Sequence, residues 1–512
     1  MASRLDLVSN PTFSTQIELL EILQGFHQKC NQLHVHFLSP GPGLLSRHVA
    51  NLPRLVLSPA PAPAQLIVGS SAQLLAYGHF GVPMLCNDIL PPASALVTPL
   101  LLQGFRCVNS RLLIPINKLL PAAQRIRILV LTNLYPPQEL GGYGRSIFDF
   151  AANLRQLGHH ISVLTSDAPY LGGDCSIDHD VSRSLLLLGS YEGGLSFATS
   201  QSDVERINLH NRLQLIHELS ICVPHAVLAG NLDMLSPELL HVLADRQIPC
   251  LHHHGFSGPA FPDALLPSPG SSYQPVANSR FTAKAIESVN PRFSSVPVVY
   301  PGAQTHLFSD LESPSLGGAL HIAFAGLLIS AKGPHVLLEA LGQLQTFGIP
   351  FRCELAGGHM GDGYRDQLLD FTKSTGISER IVFLGKLDRS QLRALFARNQ
   401  VFVFPSTWEE PFGISQVEAL AAGLLVVSSG TGGAGETVHD DINGRCFRSS
   451  DSIHLAEVLR EVYLYPEQHE HLRVRGRKLA FSHFDTARET RKLSGLLVQA
   501  ASVRSSVGFP NE

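Results

Sequence analysis

The sequence predicts an α/β protein: two doubly wound domains in tandem, facing each other across a cleft, with an appended α/β segment before them. Three observations carry this expectation. From residue 126 onward, short continuous apolar runs alternate with helical stretches. A stretch rich in Pro, Gly and Ser, PGAQTHLFSDLESPSLGG (301–318), interrupts that alternation, which then starts again. The chain, at 512 residues, is also too long for one ordinary core.

The elements follow in order. RILVLTN (127–133) is a run of Ile, Leu and Val, as in a strand buried on both faces. A Gly-rich loop leads to a helical stretch, SIFDFAANLRQLG (146–158), stopped by Gly158. Further strands are expected at HISVLTS (160–166), AVLAG (226–230), IPCLHHH (248–254), PVAN (275–278) and VPVVY (296–300). The second series is LHIAFAG (320–326), FRCELAG (351–357), RIVFLG (380–385), VFVFPS (401–406) and LLVVSS (424–429). These set a first domain at 125–304, a linker at 305–318, a second domain at 319–480, and a C-terminal helix at 481–500 that crosses back. Residues 1–124 form the appended segment. Its stretch LIVGSSAQLLAYGHFGVPMLCND (66–88) reads strand, helix, Gly, strand, and echoes the later FVFPS…VEALAAGLLVVSS. Aligning Gly81 with Gly423 puts Val68 and Ala76 where the later copy has Glu410 and Glu418. The echo keeps the architecture and loses the carboxylates.

Composition narrows the function. The chain is 44% hydrophobic and 16% charged, with a formal net charge of −4. There is no basic field for a nucleic-acid partner, so a substrate anion must be met by local donors. The eight cysteines are scattered without CxxC spacing, which fits free thiols in a reducing compartment. The start, MASRLDLVSN, is not a secretory signal, and the longest apolar run, ALHIAFAGLLIS (319–330), is too short to span a bilayer. The expected location is cytoplasmic, with peripheral contact at the inner face of a membrane left open.

The chemistry concentrates in EEPFGISQVEALAAG (409–423). Ile414, Val417, Leu420 and Ala421 have helical spacing, so Gly413, Ile414 and Ser415 sit near a helix N-terminus at the carboxyl end of a strand. Free N–H groups and a partial positive charge make that place an anion site. Glu410 stands before the turn and Glu418 about one turn into the helix. Carboxylates do not bind phosphate, but they accept hydrogen bonds from sugar hydroxyls. A phosphate clamp flanked by two such acceptors suits a nucleotide carrying a second sugar. Ser415 and Glu418 also fit the S-x-x-E capping box, in which Glu418 merely caps its own helix; the local pattern does not choose between the two.

Four further stretches matter. Lys332 lies in the strand-to-helix loop AGLLISAKGPH (325–335), where a flexible ammonium can reach phosphate oxygens or simply be solvated. Gly141, Gly142 and Gly144, in YPPQELGGYGRS (135–146), allow close backbone approach, though the loop is too long for a dinucleotide fingerprint. SSGTGGAGETV (428–438) puts Gly432 and Gly433 at a strand end with Glu436 beyond, either another approach to ligand or a plain turn with a first-turn carboxylate. HHH (252–254) alternates faces on a strand, so the three imidazoles cannot share one metal, and no metal site is expected. DHD (178–180) reads as a solvated loop.

Taken in order, RILVLTNLYPPQELGGYGRS (127–146), VANSRFTAKAI (276–286), VVYPGAQTHLF (298–308), FAGLLISAKG (324–333), LAGG (355–358) and PSTWEEPFG…NGRCF (405–447) resemble the retaining glycosyltransferases of the GT-B fold, family 4, also called group 1. The resemblance covers about 126–495 and is most specific in the two glutamates eight apart. It implies that Glu418 binds the donor ribose, that Glu410 contacts the donor sugar near the reacting centre and that Lys332 neutralises the diphosphate. It also implies that backbone around Gly413, Ile414, Ser415, Gly326 and Gly142 cradles phosphate or sugar, and that His254 (or His253) is a cleft histidine. The donor would be a nucleotide-diphosphate sugar and the acceptor a saccharide or lipid-linked molecule, with no cofactor and no metal. Acceptor contacts would come from first-domain loops at roughly 167–205 and 255–275. The final helices, HLRVRGRKLAFSHFDTARETRKLSGLL (471–497), would cross back to the first domain, with the basic cluster Arg473 to Lys478 facing either solvent or anionic lipid.

The pattern departs from the family at Leu327, where Arg is usual and one diphosphate contact is therefore missing. The GLLVV run at 423–427 also replaces the usual G-x-P-V-V. Leu327 keeps a second reading in view, a sugar-nucleotide-binding protein without catalysis. A third, a GT-B nucleotide-sugar hydrolase or epimerase, is opposed by the glutamate pair.

Overall fold

The computed structural model describes the strands at 5–9, 33–37, 55–58, 66–69, 84–86, 105–107 and 112–115, and then residues 124–506 apart from 173–174, 176–179, 193–194, 199, 269–270, 360 and 362. The chain divides into two compact units, residues 1–121 with Arg155–Gly158, and the remainder. In the first unit, strands β1 (Leu5–Ser9), β2 (Leu33–Phe37), β3 (Leu55–Ser58), β4 (Leu66–Gly69), β5 (Met84–Cys86), β6 (Phe105–Cys107) and β7 (Leu112–Pro115) form one sheet in the order β3-β2-β1-β4-β5-β7-β6. It is parallel up to β5 and antiparallel at its β7–β6 edge. The predicted helix between β4 and β5, with Ala76 and Gly81, lies outside the described residues.

The second unit holds two sheets. The first contains β8 (Arg127–Leu131), β9 (His160–Ser166), β10 (Val181–Leu185), β13 (Ala226–Ala229), β14 (Cys250–His254) and β15 (Tyr273–Ala277), and β11 (Gly189–Ser190) pairs separately with β12 (Ser196–Phe197). Its helices are α1 (Gly142–Gln156), α2 (Gln201–Cys222), α3 (Glu238–Asp245) and α4 (Arg280–Val289). The second contains β16 (Leu320–Ala325), β17 (Phe351–Ala356), β18 (Ile381–Gly385), β19 (Val401–Phe404), β20 (Leu425–Ser428) and β21 (Arg445–Cys446). Its helices are α5 (Pro334–Thr346), α6 (Tyr364–Ser374), α7 (Arg389–Ala397), α8 (Ile414–Ala422), α9 (Ser452–Leu464) and α10 (Pro466–His483), and α11 (Thr486–Ser506) follows.

Both six-stranded sheets are parallel throughout, in the orders β10-β9-β8-β13-β14-β15 and β18-β17-β16-β19-β20-β21. This is the doubly wound order 3-2-1-4-5-6 written twice. Each sheet is covered on both faces, which is why its strands read as unbroken apolar runs. Leu320, Ile322 and Phe324 of β16 pack under α5 and α9. Ala323 points the other way, into a cluster that holds α7 and α8. In the first sheet Ile128 and Val130 meet α1 and α11, and Leu129 and Leu131 meet α2 and α3.

Three expectations are corrected. VPVVY (296–300) is not a strand but a single parallel bridge, Val298 to Ala277. Pro297 offers its carbonyl to Ala277 N (2.8 Å) but has no N–H with which to extend the ladder. The first helix begins at Gly142, not 146, because first-turn N–H groups need no intrahelical acceptor and Gly142 and Gly144 are tolerated there. The stretch 167–205 is not all loop. It carries β10, an edge strand half-buried along most of its length, and the β11–β12 pair. Of DHD, residues 178–179 lie outside the described residues.

The chain passes between the two domains twice, and the two passes lie side by side. Ala303 N donates to Phe484 O (2.8 Å) and Thr486 N to Ala303 O (2.9 Å). Gly302 permits this approach. Its φ is +65°, and a Cβ there would stand 2.5 Å from Phe484 O. We expect Gly302→Ala to destabilise the protein by roughly 1–3 kcal/mol through backbone strain and that clash, read as a lower urea midpoint.

Candidate active site

The order of the second sheet reverses between β16 and β19, so the loops that follow these two strands flank its crevice. Lys332 belongs to the first loop and Glu410 to the second. Two hydrogen bonds tie the loops together: Thr407 N to Ala331 O (2.9 Å) and Ser406 Oγ to Ala331 O (3.0 Å). Gly333 makes this approach possible, since a Cβ there would lie 1.9 Å from Pro405 O. The Lys332 ammonium therefore meets both oxygens of Glu410, at 2.6 and 2.8 Å. Ser406 Oγ donates to the same carboxylate (2.7 Å), and the Trp408 ring lies 5.5 Å from Lys332 Nζ. Glu410 is buried, while a quarter of the Lys332 side chain stays exposed.

Gly413, with φ +90°, is the N-cap of α8, and Ser415 is the second residue of that helix. No side chain caps the N-terminus. The capping-box reading of Ser415 and Glu418 therefore falls, and α8 presents its first N–H groups uncovered by its own side chains. Opposite them stands the start of α1. A Cβ on Gly142 would come 3.2 Å from Ile414 Cδ1, so the first residues of two helices from two domains face each other. Leu327 lies beside them. Its methyl groups reach Gly141 and Gly358, at 3.9 and 4.0 Å from ideal Cβ positions. Gly326 donates to Ala356 O (3.0 Å), and its carbonyl would be struck by any Cβ at Gly357 (1.7 Å).

Glu418 is buried on α8. Burial pushes its carboxyl above the usual range; Arg389 and Arg145 pull it back, and Asp149 adds to the rise. These groups form a charged cluster between the domains that the sequence reading did not find. Arg389, at the start of α7, meets Asp149 of α1 at 2.5 Å, and Gln304 donates to Asp149 at 2.6 Å. Arg145 pairs with Glu139 at 2.9 Å, and Lys386 Nζ reaches the Glu139 carbonyl (3.5 Å). Burial raises Asp149 as well, against the pull of Arg389 and Arg145. One signal was available: Asp149 is a charge within the apolar stretch SIFDFAANL, four residues after Arg145.

At the reversal point of the first sheet, beyond β8 and β13, Asn133, Tyr191 and Asp233 join. Tyr191 OH donates to Asp233 Oδ2 (2.7 Å), and Asn133 Nδ2 donates to Tyr191 OH (3.1 Å) and to Asp233 Oδ1. Burial raises the Asp233 carboxyl.

The histidines alternate as a strand requires. His252 and His254 stack on one face, centroids 4.2 Å apart, with Tyr273 OH 3.0 Å from His252 Nδ1 and 3.5 Å from His254 Nε2. His253 points the other way, its Nε2 2.8 Å from Val299 O and its ring against Phe150. Among the described residues, then, the interactions of His254 run to Tyr273 and His252, not to Lys332 or Glu410. Among those residues no group of three His, Cys, Asp or Glu side chains is placed to hold a metal ion, and no helix is long and apolar enough to cross a membrane. The basic cluster at 473–478 is not a lipid-facing surface as a whole. Arg473 is buried on Gly423 O and Glu470, and Arg477 holds Leu311 O and Phe308 O, leaving Arg475 and Lys478 outward.

Residues 312–479 match the family model described as glycosyl transferases, group 1. Curated relatives include the D-inositol 3-phosphate glycosyltransferases of Mycobacterium sp. (strain JLS), 31% identical over 179 residues (33% of this chain, 40% of that one), and of Rhodococcus erythropolis, 30% identical over 181 residues (33% and 41%). The chain thus spans about two fifths of the length of these relatives. Similar solved structures include Anabaena HepE in complex with UDP-glucose (TM-score 0.58, 20% identity, covering 73% of this chain and 100% of that one). A glycosyltransferase from Rickettsia africae (0.60, 16%, 73% and 98%) and sucrose-phosphate synthase from Thermosynechococcus elongatus (0.58, 18%, 74% and 100%) are also similar. These likenesses show the fold: two Rossmann-like domains in the GT-B arrangement.

Two outcomes follow from this geometry. Lys332→Met strands a buried carboxylate, and we expect it to cost about 2 kcal/mol or more in urea unfolding; adding Glu410→Gln should recover much of that loss. Burial also depresses the imidazoles, His252 to about 3, His253 and His159 to about 4, and His254 well below 6.5. Their unfolded forms take up protons near pH 6.5 and the native forms do not. The stability they contribute is complete above pH 6.5 and is lost as pH falls toward 4, by up to about 1.4 kcal/mol per pH unit for each histidine. The raised carboxyls of Glu418 and Asp149 act in the opposite sense, from their unfolded values near 4 upward, and offset part of the loss from the four histidines. Urea midpoints measured from pH 7 to 5 should therefore fall steadily.

Proposed function

We propose that the protein is a retaining glycosyltransferase that moves a sugar from a nucleotide-diphosphate sugar to a saccharide or lipid-linked acceptor. The carrying observation is the crevice beside the Lys332–Glu410 pair, where the start of α1 meets the uncapped N-terminus of α8, with the buried Glu418 close behind. Two helix N-termini and an ammonium suit a diphosphate. A buried carboxylate without a capping duty suits the hydroxyls of a ribose.

In this reading the domain at 319–480 holds the donor. Glu418 takes the ribose, and backbone at Gly326, Gly413, Ile414, Ser415 and Gly142 takes phosphate or sugar. Glu410 contacts the donor sugar, and its grip on Lys332 keeps the ammonium aimed at the diphosphate. As the glycosidic bond breaks, negative charge grows on the leaving diphosphate, and these fixed donors stabilise it more than they stabilise the intact substrate. The departing phosphate oxygen takes the acceptor's proton on the same face, which gives retention, and no metal takes part. The domain at 125–304 holds the acceptor, with His254 and the Asn133–Tyr191–Asp233 group as hydroxyl partners at its strand ends. Free thiols at Cys175, Cys222, Cys250, Cys353 and Cys446 suit a cytoplasmic setting.

Leu327 supports a second reading, nucleotide-sugar binding without transfer. It presents a methyl group beside Gly141, at the start of α1, where a cation would assist the leaving group.

Calorimetry with UDP-, GDP- and ADP-sugars on wild type and Glu418→Gln tests the donor site. One donor is expected to bind wild type, and the glutamine variant, of the same size, to bind it at least about tenfold more weakly. Equal binding would remove Glu418 from the donor site, and no binding by wild type would remove the transferase reading. Binding without release of nucleoside diphosphate would favour the second.

A further inference from the structure

The turn Gly432–Glu436 ends in a carboxylate that serves neither its own turn nor the crevice. Glu436 reaches into the other domain. Its Oε1 accepts from Phe281 N (2.8 Å) and its Oε2 from Arg280 N (3.1 Å), the first two N–H groups of α4. The same Oε2 accepts from Tyr300 OH (2.8 Å). Ser279, the N-cap of α4, takes the N–H of Thr282 (3.1 Å), so the helix start is completed by one residue of its own domain and one of the opposite domain.

That turn also touches the crevice. Gly433 N donates to the carbonyl of Glu410 (2.7 Å). Gly433 threads between the domains, since a Cβ there would stand 2.0 Å from Pro411 O and 2.7 Å from Ser279 Oγ. One short turn thus grips α4 with its last side chain and the backbone of Glu410 with its second N–H. Tyr300 belongs to the same seam. Its ring lies 5.4 Å from Phe412 and 5.1 Å from Phe484, at the paired passes between the domains.

We propose that Glu436 is a positioning residue, a clasp that fixes the angle between the domains and, through Gly433, the place of Glu410 relative to the acceptor side. The proposal rests on the transferase reading above and adds a residue to it. All three donors to Glu436 come from the first domain, so opening the cleft at this seam must break three hydrogen bonds to one side chain. The nucleotide contacts proposed on the second domain need none of them. Glu436 should therefore govern turnover and leave nucleotide binding alone.

The test uses the full chain and Glu436→Gln. Glutamine keeps the size, but its amide can accept from only one of the two N–H groups. Three quantities are measured: hydrogen exchange in peptides covering 279–283, calorimetric affinity for UDP, GDP and ADP, and release of nucleoside diphosphate from the corresponding glucose donors. The expected result is exchange at least about tenfold faster in the first turn of α4, turnover lower by on the order of 10²-fold, and nucleotide affinity unchanged. Tyr300→Phe, which removes one donor, should shift exchange and turnover the same way by less. Unchanged exchange would overturn the clasp. Faster exchange with normal turnover would overturn its positioning role, and so would a matching loss of nucleotide affinity, which would mark a plain structural defect of the donor side. Wild type that releases no diphosphate would sink the transferase reading, and the positioning role with it, whatever the exchange shows.

Discussion

Helices α5 and α8 leave the second sheet for opposite faces, and the rest of the site depends on that divergence. Two crossovers of the same hand cannot diverge from neighbouring strands without leaving a gap at the carboxyl ends. The loops after β16 and β19 border this gap. Because they belong to different crossovers, they can carry different chemistry and still touch. One brings an ammonium and the other a carboxylate. Close backbone contacts, with glycine where a Cβ would collide, hold the two in register. The first sheet repeats the geometry, and Asn133 and Asp233 occupy the equivalent gap.

A crevice of this kind gathers charge that must be balanced while it is shielded from water. Glu418 and Asp149 are buried and held above the usual carboxyl range, and Arg389 and Arg145 limit the rise. The balance crosses the domain boundary: Asp149 lies on α1 and Arg389 on α7. The seam between the domains therefore carries polar contacts beside the apolar ones of the Tyr300, Phe412 and Phe484 rings. Breaking its polar contacts replaces protein hydrogen bonds by bonds to water at modest net cost. That allows two domains to separate and rejoin.

Most of the architecture was legible because a strand buried on both faces has nowhere to put a polar residue. Runs such as VFVF and LVVS announce themselves and put Lys332 and Glu410 in strand-end loops, while the contact between the two follows only from the sheet order. Local chemistry was less legible. VPVVY has the composition of a strand and fails as one through the missing N–H of Pro297. Ser415 and Glu418 spell a capping box, but the helix starts two residues too early for Ser415 to be its cap. Pairings between distant residues were invisible. Arg389 and Asp149 are 240 positions apart, and Glu436 and Phe281 are 155 apart. No periodicity links such residues; only the finished packing does. The outward-looking basic run at 473–478 misled for the same reason, since the carbonyls that hold Arg473 and Arg477 include those of Ser313 and Leu311, 160 or more residues earlier.

Helix α11 buries Leu493, Leu497 and Ala501 against β8 and α1, elements of the domain at 125–304, which is made before the one at 319–480. During synthesis that domain reaches its linker with one face of its core uncovered. The second domain can complete itself as its last helix, α10, emerges, but the first must wait for the chain to return. Domains usually fold in the order they leave the ribosome. Here the order of completion is reversed, and for the time needed to make more than 160 residues an apolar face is open to chaperones or to misassociation.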